Sequence, residues 1–142
     1  MKRAVPPSRK VLARWIAIVP TAMLAWWATL LLGFGLDSLA MRFCPPEQTI
    51  SSFCIADWYP SVQTGIVLAC AALAGFLIVF AGALVAPAQR RLVSWALLFA
   101  AFMVAGVMAV QTGAYTACAA AILGAFSALY AVARLLDPLP QG

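Results

Sequence analysis

Cys44 and Cys54, ten positions apart in Cys44-Pro-Pro-Glu-Gln-Thr-Ile-Ser-Ser-Phe-Cys54, are the groups in this chain best suited to covalent chemistry. Oxidised to each other on the oxidising side of a membrane, they close a loop of about ten residues, worth roughly 2–3 kcal/mol in the chain-entropy model. As a redox couple they would exchange with other thiols, but the tuned potential of such dithiols depends on a close C-x-x-C geometry that this spacing lacks. A structural disulfide is the expectation. The other two cysteines, Cys70 and Cys118, fall in apolar stretches at different depths, where a cysteine serves as a small packing residue. The chain has no histidine, which removes His-ligated haem and a histidine proton relay. A four-cysteine zinc site would need ligands at incompatible depths. No metal and no cofactor are expected.

The remaining polar side chains form a thin set: Asp37, Arg42, Gln63, Thr64, Gln111, Thr112 and Tyr115. If the helix ends meet beneath the cysteine loop, Asp37, Arg42, Gln63, Gln111 and Tyr115 converge in a shallow outer pocket. The plainer alternative is that they end helices, bond the turns and face water. Asp37 and Arg42 could also form an exposed ion pair, which contributes little. Trp26 and Trp27, adjacent and near mid-membrane, point about 100° apart on a helix, so one indole should face another helix and seek a hydrogen-bond acceptor. They are either a stacking wall for a quinone or lipid tail, or bulk filling space against small neighbours.

The elements that must position these groups follow from where charge is missing. Positions 15–36, 58–89 and 92–133 contain no Asp, Glu, Lys or Arg, and 65% of the chain is hydrophobic against 9% charged. Soluble domains are about a quarter charged, so this composition belongs to a bilayer, whose centre charges enter only at a cost of several kcal/mol. A span needs about 20 residues, so the first two stretches make one helix each. The third, of 42 residues, would be about 63 Å long as a single helix, twice a hydrocarbon core, and must fold back. Its one polar, Gly-containing interruption is Gln111-Thr112-Gly113, where the turn belongs. The expectation is an all-α membrane protein, a four-transmembrane-helix bundle with helices at about 12–36, 61–86, 91–110 and 114–135, an outer loop over 37–60, and a tight hairpin of helices 3 and 4. Pro20 should kink helix 1 and Pro87 should stop helix 2.

Eight of the nine basic residues precede helix 1, join helices 2 and 3, or end helix 4; only Arg42 lies on the other side. That bias places both termini in the cytoplasm, with up-down topology and the cysteine loop outside. The basic face reads as contact with anionic lipid headgroups, not with nucleic acid. A cleavable signal peptide competes for 1–36, but its apolar region should be only 7–15 residues. Compact size and Ala/Leu/Arg bias suggest a bacterial inner membrane.

Four spans, inside termini and cysteines in the first outer loop are similar in topology to the quinone-linked disulfide-oxidising membrane proteins. Those carry a C-x-x-C pair and a second cysteine pair in the second outer loop, and here the second outer turn has none. Size and topology are also similar to small four-helix drug exporters, which rely on an acidic residue in helix 1. The nearest here is Asp37, at the expected helix end.

Small residues at helical spacing are the richest remaining signal. Gly65 and Ala69, and Ala71 and Gly75, mark helix 2; Ala101, Ala105 and Ala109 run into Gly113 on helix 3; Ala117, Ala121 and Ala125 mark helix 4. Such rows let helix backbones approach closely in lipid. An Ala- and Gly-rich genome would also supply them without a packing role. The function that follows is non-enzymatic: an accessory or assembly subunit docking on another membrane protein or on a second copy. The rivals are a small carrier or channel for a weakly polar or lipidic solute, and a membrane thiol-disulfide oxidoreductase using Cys44 and Cys54.

Overall fold

The computed structural model describes residues 9–50, 53–86 and 90–135. The basic tail as far as Ser8, the connector at 87–89 with Pro87, and the C-terminal tail from 136 lie outside the described residues. Four helices follow one another: α1 (Arg9–Arg42), α2 (Tyr59–Val85), α3 (Arg90–Thr112) and α4 (Tyr115–Leu135). Each carries a stretch long and apolar enough to cross a membrane. Their outer surfaces are covered in exposed Leu, Ile, Val and Phe, among them Leu24, Leu31, Phe34, Phe99 and Leu123. In water such a surface would drive aggregation; in hydrocarbon it is the solvated face.

Helix α1 runs six residues past the expected end at 36. After Leu36 the chain reads Asp-Ser-Leu-Ala-Met-Arg, with no Gly or Pro, and the first helix breaker is Pro45. Asp37 therefore ends the charge-free stretch but not the helix. At 34 residues α1 is about 51 Å long and overshoots a hydrocarbon core of about 30 Å. The helix is unbroken through Pro20. Helix α2 starts at Tyr59 with Pro60 in its first turn, where a missing N–H leaves no bond unmade.

Between α3 and α4 only Gly113 and Ala114 are non-helical, so Gln111 and Thr112, expected in the turn, belong to the last turn of α3. Gly113 has φ 73°, a left-handed conformation that favours glycine. Its N–H donates to the Ala109 carbonyl at 2.8 Å. The Thr112 hydroxyl donates to the Met108 carbonyl at 2.8 Å and accepts the Ala114 N–H at 3.3 Å. Backbone groups freed at the turn thus find partners without water.

Helix α2 is central, packed on α1 along one face and on α4 along another. One core cluster joins Val79 of α2, Leu98 of α3 and Ala125 and Ala128 of α4, flanked by the stacked rings of Phe76 and Phe80. A second, at the opposite end from the cysteine loop, joins Ile18, Ala86 and Val93. The closest backbone approach is between α2 and α4. A Cβ added to Gly75 would overlap the Ala121 carbonyl and reach the Ala125 nitrogen at 3.2 Å; one added to Gly124 would overlap the Ala72 carbonyl.

Candidate functional site

Residues 43–50 and 53–58 form a small cap over the ends of α1 and α2. Pro45 and Pro46 open a 3-10 turn over Pro46–Gln48, after which β1 (Thr49–Ile50) pairs antiparallel with β2 (Phe53–Cys54), Thr49 opposite Cys54. Cys44 and Cys54 are joined as a disulfide with Cα atoms 5.9 Å apart, the pairing expected from the sequence. The Ile55 N–H, just past the bridge, donates to the Gln48 carbonyl inside the loop at 2.9 Å. Cys54, Ala56 and Tyr59 are buried against Ala40, Met41 and Cys44, so the cap rests on the overshooting end of α1. The helical extension past Asp37 supplies that seat.

Just below the cap the Tyr59 hydroxyl, in the first turn of α2, donates to Asp37 Oδ1 of α1 at 2.9 Å and ties the two helices together. Below that bond a groove of about 370 Å³ runs between α1 and α2. Its walls are two helical faces. On α1 they are Trp26, Thr29, Leu30, Gly33, Phe34 and Asp37, and on α2 Gln63, Ile66, Val67, Cys70, Ala71 and Ala74. Both sets step by three and four residues, which keeps one side of a helix. The helices are joined through the cap, so Asp37 and Gln63 share the polar end, and Trp26 and Ala74 the deep end. Gly33 faces Cys70 on the floor, where a Cβ would reach the Cys70 Sγ at 3.4 Å, an ordinary contact distance.

Of the five residues expected in an outer pocket, Asp37 and Gln63 line this groove. Arg42 is exposed in the last turn of α1, five positions beyond Asp37 and so about 140° around the helix. Gln111 and Tyr115 are exposed at the α3–α4 turn, outside the groove. The partner of Asp37 is Tyr59, not Arg42. Trp26 lines the groove while its T-shaped neighbour Trp27, 5.5 Å away between centroids, is exposed on the lipid side. The Thr29 hydroxyl donates to the Trp26 carbonyl at 2.7 Å, a backbone partner, not the indole partner expected. Cys70 and Cys118 are free thiols.

The small-residue rows divide. Gly75 is buried and Ala109 is 4% exposed, whereas Ala101 and Ala105 are half-buried. Gly65 and Ala69 are exposed, with nothing within 4 Å of a Cβ on Gly65. Three contributors escaped the sequence reading. Tyr59 is one aromatic among several near helix ends; Gly33 pairs at four-residue spacing with Thr29, a row passed over on α1; Gly124 hides one position from Ala125. Comparison with protein families, characterised proteins and solved structures returns no match to this chain.

Proposed function

We propose that this is a small non-enzymatic integral membrane protein that serves as an accessory or assembly subunit, docking on another membrane protein of the bacterial inner membrane. The observation that supports this is the first of the two small-residue pairs on α2. Gly75 is consumed by the contact with α4, but Gly65 and Ala69, ten and six residues before it on the same helix, lie open to the membrane. A small-xxx-small pair facing lipid is the surface another helix can approach most closely. Tagged protein purified in mild detergent should carry a stoichiometric membrane partner. Gly65→Leu or Ala69→Leu should cut its recovery about tenfold, the effect of roughly 1.4 kcal/mol, without impairing insertion. Recovery of the same partner at wild-type level from both variants would end this proposal.

The topology that goes with this reading has both termini in the cytoplasm, helices alternating in direction, and α3 and α4 as a hairpin. The asymmetry of basic residues supports it. A periplasm-dependent phosphatase inserted in 43–58 should be active and one fused after 142 inactive; the reverse pattern would invert the protein. A second reading, a small carrier for a lipidic solute, draws on the groove that brings Asp37 and Gln63 together.

A further inference from the structure

The α1–α2 groove has the dimensions and polarity of one leaflet. From Trp26 to Asp37 is eleven residues of helix, about 16 Å, close to half of a hydrocarbon core of about 30 Å. One end carries a carboxylate and an amide, Asp37 and Gln63; the floor past Gly33 and Cys70 is apolar; the deep end is the Trp26 indole against Ala74. That order, polar at the surface and apolar toward the midplane, is the profile of a single lipid molecule standing in the leaflet on the cap side.

The headgroup end has a sign. Among the described residues Asp37 is the only charged one lining the groove, and the Tyr59 hydroxyl occupies one of the roughly four acceptor positions a carboxylate offers. Arg42, the nearest basic residue along α1, points around the helix from it. Gln63 across the groove adds a carbonyl acceptor and two N–H donors. A primary ammonium has three N–H groups to give such acceptors and opposite charge to the carboxylate. A trimethylated ammonium has the charge but no N–H, and a purely anionic headgroup is repelled.

We propose that the groove is a binding site for one lipid of the cap-side leaflet bearing a primary ammonium in its headgroup, with an acyl chain on the floor and the ammonium at Asp37 and Gln63. The test uses the full chain in nanodiscs at neutral pH, with a small mole fraction of phosphatidylethanolamine, phosphatidylcholine or phosphatidylglycerol brominated on the acyl chains. Quenching of Trp26 is isolated by subtracting the signal of a Trp26→Phe variant. Half-quenching should need about fivefold less ethanolamine lipid than either other lipid, the ratio expected of a partly exposed charge-assisted contact. Asp37→Asn should abolish the preference. Tyr59→Phe, which breaks the bond between α2 and α1 but keeps the carboxylate, should retain it. Equal half-quenching by the three lipids would overturn the site and leave ordinary annular contact. A preference that survives Asp37→Asn, or is lost in Tyr59→Phe alone, would overturn the assignment of the ammonium to Asp37.

Discussion

Replacing Gly124 with valine is expected to lower the stability of the bundle by about 3 kcal/mol, the upper part of the range for overpacking, because the inserted atoms meet backbone. A Cβ on Gly124 lands on the Ala72 carbonyl and lies within 2.9 Å of the Ala72 Cα. No rotamer change relieves that; α4 has to move away from α2. Gly75→Val acts on the same crossing from the other side, through the Ala121 carbonyl. One separation relieves both collisions, so the double variant should cost clearly less than the sum of the single ones. Gly82→Ala is the contrast: its Cβ collides with Leu97 Cδ1, the far end of a flexible side chain, and should cost a small fraction of the Gly124 effect. Gly65→Val, with open space around it, should leave the fold unchanged. Unfolding in mixed micelles of rising SDS content, followed by tryptophan fluorescence, orders the four. Gly124→Val unfolding at the same SDS fraction as Gly65→Val would mean that the α2–α4 crossing does not hold the bundle together.

The helices were legible because hydrocarbon forbids charge, so absence of charge over 15–36, 58–89 and 92–133 reports each span directly. Helix ends were legible only where a backbone constraint fixes them. Gly113 has to be a turn, whereas nothing in Asp37-Ser-Leu-Ala-Met-Arg42 forces α1 to stop at the membrane surface. That difference moves Arg42 onto the helix and away from the groove. Small-residue spacing identified Gly75 and, on α4, the Ala121 and Ala125 that it meets, but not Gly124, which meets Ala72. In a helix as rich in small residues as α4, several faces satisfy the same rule, and packing chose the one through Gly124. The groove was half legible: Trp26, Asp37 and Gln63 stood out as residues, but their convergence depends on how α1 rotates against α2, which no periodicity specifies. Asp37 had a visible basic neighbour in sequence and took a phenol from the next helix instead.

Cys44→Ser with Cys54→Ser is expected to release the cap while leaving the four helices in place. The bridge closes a loop with a sequence separation of 10, for which the chain-entropy model gives roughly 2–3 kcal/mol. The effect is local, because the cap touches the bundle mainly through the cluster of Cys54, Ala56 and Tyr59 on Ala40 and Met41. Opening of the cap, not of the bundle, should become roughly thirtyfold or more easier. The Ile55 amide, bonded to the Gln48 carbonyl inside the closed loop, reports it: its hydrogen exchange should accelerate by that factor, while amides deep in α2 keep wild-type protection. Unchanged exchange at Ile55 would show that the short β-ribbon and the packing hold the cap without the bridge. The same experiment separates a structural from a catalytic pair. Exchange of a disulfide requires a thiolate to reach one of its sulfurs, and Cys54 is 9% exposed beneath the cap while Cys44 is half-buried. With Cys54 buried, thiolate attack on its sulfur should wait for the cap to open, so reduction through that sulfur should follow the Ile55 opening rate. Reduction faster than that opening, with quinone restoring the bond, would move Cys44 and Cys54 to the redox reading.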